Sequence, residues 1–226
     1  MNFEIVLERA TPLLLEGVQL TIGISLLSLF FGILIGLLSC LMGLSKNPVL
    51  STISKVYVWV IRGTPMIVQG YFMFFAVPQL LNLIPGFRVT LTPFTAGLIT
   101  LSLNGGAYLS EVFRGGILAV PVGQVEAARS LGMSSFKTMM KVVLPQAFKI
   151  SLPSMVNQFI ITVKDTSILS AIGLAEIVNN AKQFVGDTYR FFETYILVAV
   201  FYLVIISALM ILSNHIEKRM RYEPKG

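Results

Sequence analysis

The chain has 226 residues, of which 55% are hydrophobic and only 12% charged. A soluble domain carries about 25% charged residues, so composition argues against a soluble enzyme, a disordered tail or a DNA-binding module. The formal net charge of +6 sits in short segments between apolar runs, the pattern of membrane topology rather than of nucleic-acid binding. A single cysteine, Cys40, excludes an intramolecular disulfide and any multi-cysteine metal or Fe–S site.

A helix needs about 20 apolar residues to cross a bilayer. The first such run, 17–44, carries no charge. It is too long for a signal peptide, and Glu4, Glu8, Arg9 and Glu16 are not a basic leader, so a retained helix is expected. The second, 63–87, opens at Thr64-Pro65. A proline there either frees a carbonyl to line a cavity or marks the end of an interfacial helix. The second reading is preferred and leaves Arg62 at the membrane edge. Gln69 lies just inside this span, and the aromatic run 71–75 reads as lipid-facing packing. The third, 92–110, holds Asn104 at mid-depth, with Gly105 and Gly106 allowing close approach, and stops at Glu111. The fourth, 150–175, is interrupted only by Lys164 and Asp165, and the fifth, 194–216, only by His215, the one histidine. The expected fold class is an all-α integral membrane protein with five transmembrane helices and no matching halves.

Basic residues set the orientation. Lys46 and Lys55, then Arg114, Arg129, Lys137, Lys141 and Lys149, then Lys218, Arg219, Arg221 and Lys225 fall on one side; Arg9, Arg88, Lys182 and Arg190 fall on the other. The richer side is cytoplasmic, which puts the N-terminus outside and the C-terminus inside.

The segment 119–145 between spans three and four reads as two short helices. Pro121 suits a first turn, 122–131 a helix, and Gly132 the left-handed residue that ends it. Ser134 or Ser135 can cap a second helix, which is expected to run to about Leu144 and stop near Pro145. The first helix exposes Glu126 and Arg129 beside Ala127 and Ala128, small enough for another protein to come close.

Glu126-Ala127-Ala128, Gly132, Val142 and Leu144-Pro145 resemble the EAA loop of ABC importer permeases, in which isoleucine is usual at the place of Val142. Arg62-Gly63-Thr64-Pro65, Asn104 to Tyr108 with Glu111, Arg114-Gly115-Gly116, Gly123-Gln124, Asn157-Gln158-Phe159 and Lys164 to Ser167 resemble the polar amino acid (histidine/glutamine) subfamily. The resemblance covers essentially the whole chain. It implies a type I permease fold over 17–216 in a bacterial inner membrane. It also implies coupling to an ATPase subunit through Glu126, Ala127, Ala128, Arg129 and Gly132. ATP and Mg would be bound by that partner, with no cofactor in this chain. A second permease copy or paralogue would complete the pathway, an extracytoplasmic binding protein would deliver the substrate, membrane lipid surrounds it, and no nucleic acid is involved. By the same resemblance, ATP would close the ATPase dimer and open the pathway outward, and hydrolysis would reset it.

An ionisable group at a helix centre costs about 2.5–3.5 kcal/mol on insertion scales, so such residues face a cavity or a partner. Lys164 and Asp165 project about 100° apart; Asn157 shares a face with Lys164 and Gln158 with Asp165. Lys164 suits a substrate carboxylate, Gln158 and Asn104 suit a neutral polar side chain, and Gln69 is a further pathway candidate; the alternative is that they only bond helices to one another. For Arg62 and Asp165 a structural ion pair or edge anchoring is preferred. Neutral Gln158 leans towards glutamine or another uncharged polar amino acid, with cystine as the alternative. There is no phosphate loop and no His-Glu-x-x-His, so the chain is not expected to hydrolyse ATP itself. A secondary transporter or channel is the competing reading, and Asp165 alone is weak support for proton coupling.

Overall fold

The computed structural model describes residues 3–86 and 88–220, with side chains through residue 218. Phe87, the expected end of span two, and the tail residues Arg221 and Lys225 lie outside the described residues, as does the Arg219 side chain. All regular elements among the described residues are helical.

Helix α1 is Phe3–Gly43, 41 residues, about 60 Å at 1.5 Å per residue. That is double the ~30 Å hydrocarbon thickness, so the expected span 17–44 is only its C-terminal part. Its first turns pack elsewhere: Val6 and Ala10 bury against Phe184, and Leu14 against Ile177, Ala181 and Val198. Its second half crosses α5, Pro93–Leu118, where Gly32 and Gly36 lie four residues apart on one face. A Cβ at Gly36 would sit 2.9 Å from the Leu109 Cβ, and one at Gly106 2.8 Å from the Ile35 Cγ2. The crossing therefore requires glycine at both. Gly105 differs: a Cβ there meets nothing within 4 Å, so only Gly106 of the expected pair serves close approach. Helix α5 starts at a reciprocal cap. Thr92 Oγ1 accepts from the Thr95 N–H at 3.1 Å and Thr95 Oγ1 from the Thr92 N–H at 3.0 Å.

Helix α2 is Pro48–Gly63, begun by Asn47, whose Oδ1 accepts from the Val49 N–H at 2.9 Å. Helix α3 (Met66–Tyr71), a π turn (Phe72–Ala76) and α4 (Val77–Leu81) follow. The two halves meet at an angle of 108° across Thr64-Pro65, so one helix ends at this proline and the next begins at Met66. Three buried serines tie α1, α2 and α5 together: Ser54 Oγ donates to Ser39 O at 2.7 Å, and Ser110 Oγ to Ser39 Oγ at 3.1 Å.

After α6 (Val122–Ser130) comes a continuous rod: α7 (Ser135–Thr138), a π turn (Met139–Val143), α8 (Leu144–Asp165) and a 3₁₀ segment (Thr166–Ile172). Pro145 therefore does not stop the second helix, contrary to expectation. The reason is local. In each π turn the chain bonds five residues back, Leu144 N–H to Met139 O and Val77 N–H to Phe72 O, and a proline follows directly, Pro145 and Pro78. The widened turn makes room for a ring that would strike the carbonyl four residues earlier. Beside Pro145 the Val142 carbonyl accepts from Gln146 Nε2 at 2.9 Å. The rod ends at Gly173, φ +83°. Helices α9 (Ile177–Thr188) and α10 (Phe191–Met220) complete the described chain.

Among the described residues, Phe3–Gly43 and Phe191–Lys218 are long and apolar enough to cross a membrane, and the bent pair Pro48–Gly63 with Met66–Leu81 makes a third if it is one span. Helices α5 and α8 are less apolar because they are central. Thr100, Ser102, Asn104 and Ser110 of α5, and Ser151, Gln158 and Thr162 of α8, are buried inside the protein.

Candidate functional site

The corner between α6 and α7 is closed by backbone bonds. Gly132 has φ +79°. Its N–H donates to Arg129 O at 3.0 Å, and the Met133 N–H donates to Ala128 O at 3.1 Å, the paired ending that a left-handed glycine permits. Ser134, not Ser135, caps α7 by accepting from the Lys137 N–H at 3.3 Å. Beneath the corner Val120, Val143 and Ala147 bury with Val125 and Met139. Glu126, Ala127 and Arg129 face outward. Ala128 does not: it is 5% exposed and belongs to the inner face, so the expected patch loses one member. Arg129 also turns back, Nη1 donating to Met133 O at 2.7 Å. The patch gains two residues that sequence reasoning missed. Leu131 is 85% and Phe136 74% exposed, large apolar groups flanking the glycine. Their signal was their apolar character within a polar segment.

Inside the bundle the structure brings Gln69 and Asn104 together. Asn104 Nδ2 donates to Gln69 Oε1 at 3.1 Å, while Gln69 Nε2 donates to Ile61 O at 2.7 Å and Thr64 O at 3.0 Å. The last two are carbonyls left over where α2 breaks, so Gln69 holds the kink as well as Asn104. A cavity of 360 Å³ opens beside this pair, lined by Gln69, Thr64, Phe72, Met73, Thr100 and Leu103 among others, and nearly all of its wall is apolar. Gln158 is buried on α8, whereas Asn157 and Lys164 are exposed, the divergence that 100° per residue predicts. No hydrogen bond joins the side chain of Gln158 or Lys164 to the Gln69–Asn104 pair, and Lys164 makes no salt bridge among the described residues.

Arg62 lies 4.0 Å from Glu111 and 5.1 Å from the centre of the Tyr108 ring, the structural pairing expected of it. Arg114 grips the same carboxylate, Nε to Oε1 at 3.2 Å and Nη2 to Oε2 at 2.5 Å.

A buried carboxylate escaped the sequence reading. Glu176 is fully buried and caps α9, accepting from the Val178 and Asn179 N–H groups at 2.9 and 2.7 Å and from the Tyr202 hydroxyl at 3.1 Å. Burial pushes its pKa up against these donors. A Cβ at Gly17 would lie 2.7 Å from the Ile177 Cα, so that glycine lets α1 seal the cap. The available signal was an acidic residue directly before an amphipathic stretch.

The chain matches the family of binding-protein-dependent transport system inner membrane components over residues 28–222. It is 38% identical to the glutamine transport system permease protein GlnP of Escherichia coli strain K12, over 94% of each chain. It is 39% identical to the L-cystine transport system permease protein TcyB of Bacillus subtilis strain 168, over 99% of this chain and 93% of that one. In three dimensions it is similar to a crystal structure of an amino acid ABC transporter with histidines, with a TM-score of 0.88 and 36% identity over 97% of this chain and 99% of that one. The chain belongs to the binding-protein-dependent inner-membrane component family, and is a multi-pass membrane protein with the type I ABC importer permease fold.

Proposed function

We propose that this family member is the bacterial cell-membrane permease of an ATP-driven importer, carrying a polar amino acid, glutamine first, delivered by an external binding protein. The observation that carries the reading is the corner: a rigid, glycine-closed turn presenting Glu126, Ala127, Arg129, Leu131 and Phe136 outward. It has the small, charged and apolar mixture that a docking partner needs. The partner is an ATPase subunit that binds ATP and Mg; this chain contributes the pathway. The similarity to a glutamine permease over 94% of both chains supports the substrate class.

In this reading α1, the α3–α4 unit, α5, α8 and α10 are the five crossings, with the N-terminus outside and the C-terminus in the cytoplasm. A second copy or paralogue supplies the facing half of the pathway. Asn104, Gln69 and Gln158 offer neutral hydrogen bonds, and Lys164, which makes no salt bridge among the described residues, offers a cation to a substrate carboxylate. Cystine is the second reading, favoured by the 39% identity to a cystine permease.

The test is ATP-dependent uptake in proteoliposomes holding the permease, its ATPase and its binding protein, with labelled glutamine and labelled cystine offered separately. Glutamine uptake that needs all three components is expected. Uptake without ATP, driven by a proton or sodium gradient, would replace the proposal with a secondary transporter. Lys164→Met is expected to lower uptake at least tenfold while complex yield is unchanged; a fall in yield instead would make Lys164 structural.

A further inference from the structure

We propose that the cavity between the C-terminal ends of α1 and α5 and the flank of α2 is a binding site for the phosphate headgroup of an anionic membrane lipid. The cavity measures 450 Å³, and its lining includes Ser39, Ser54, Lys55, Trp59, Arg62, Arg114 and Glu111. Three cations and one carboxylate line it. Arg62 and Arg114 share Glu111, and Lys55 forms no salt bridge among the described residues. The site therefore carries positive charge that no salt bridge among the described residues neutralises. Phosphate oxygens match guanidinium and ammonium donors, and basic pockets between membrane helices are suited to lipid headgroups.

The shape of α2 says which phosphate. Lys55, Trp59 and Arg62 follow at helical spacing along one stripe. Val49, Ile53, Val56 and Val60 form an adjacent exposed apolar stripe. Between residues 45 and 62 there is no acidic residue. A helix with an apolar side, a basic side and a tryptophan lies in the membrane interface, tails against one stripe and heads against the other. Trp59, 75% exposed, marks that level at the cavity rim. A soluble phosphate would need only the cations; the apolar stripe beside them fits a headgroup that still carries its acyl chains. The inference rests on α1 and α5 crossing the membrane, and not on which way the chain faces or what it transports.

Trp59 is the one tryptophan of the chain, so it reports its own surroundings. The full-length chain is placed in phosphatidylcholine vesicles containing equal fractions of brominated phosphatidylglycerol or brominated phosphatidylcholine, and Trp59 fluorescence is measured. The expected result is quenching about twofold stronger with the anionic lipid. Lys55→Glu should bring it down to the phosphatidylcholine level, while Lys46→Gln, outside the cavity, leaves it unchanged. Equal quenching by both lipids in the unaltered chain would overturn the headgroup site. Quenching by neither would overturn the membrane placement of α2 and with it the proposal. An anionic preference abolished by millimolar inorganic phosphate at constant ionic strength would assign the cavity to a soluble anion and overturn the lipid assignment.

Discussion

Helices α5 and α10 answer opposite surroundings. Helix α10 is among the most apolar segments, and only 6% of its most apolar window is buried; Leu203, Val204 and Ile211 stand exposed along it. Helix α5 is the more polar, yet its polar groups are covered. Thr100 donates to Ala96 O at 2.8 Å, Ser102 to Leu98 O at 2.6 Å, Ser110 to Ser39 and Asn104 to Gln69. Where lipid is the neighbour, a side chain must be apolar and little else; where protein is the neighbour, it must fit and find a partner. Of these two helices the more apolar one is the less packed, and the less apolar one holds its neighbours together.

The largest expected effect breaks that contrast at the α1–α5 crossing. Gly106→Leu forces side-chain atoms into Ile35 and should cost about 3 kcal/mol or more, at the upper end of what overpacking does, seen as loss of purified yield and a lower melting temperature in detergent. Gly105→Ala, one residue away and facing open space, should be neutral or stabilising by about 0.5–1 kcal/mol, the helix preference of alanine over glycine. A next, smaller effect concerns the Glu176 cap. Glu176→Ala leaves two backbone N–H groups and the Tyr202 hydroxyl without their acceptor and should cost about 1–3 kcal/mol; Glu176→Gln, which keeps one acceptor oxygen, should cost less. Leu203→Ala on α10 should shift the melting temperature least, by the equivalent of about 0.5 kcal/mol or under. A large loss at Leu203 would mean that a second chain covers this face.

The parts legible in the sequence were those governed by one residue's backbone chemistry. Pro65 broke a helix and Gly132 turned a corner, because a ring without an N–H and a residue without a Cβ each bias the local backbone. Pro145 misled because a π turn two residues earlier absorbs it, and nothing in Met139–Val143 announces that turn. Ala128 was placed on the wrong face because a single short helix does not reveal which side its neighbours will cover. Glu176 and the Ser39–Ser54–Ser110 cluster were invisible for the same reason: each is defined by contacts between residues far apart in the chain. Of the four intramembrane candidates, helical spacing correctly separated Gln158 from Lys164, but it could not show that Gln69 is also occupied in holding the kink of α2.

The central claim is that the corner couples this chain to an ATPase. Leu131 and Glu126 are solvent-exposed, so Leu131→Asp with Glu126→Arg should leave insertion and melting temperature unchanged. The decisive measurement is ATP hydrolysis stimulated by the substrate-loaded binding protein in proteoliposomes, with co-purification of the ATPase subunit followed in parallel. The account predicts that the double variant loses stimulation at least tenfold and releases the ATPase. Full stimulation with the ATPase still bound would contradict it.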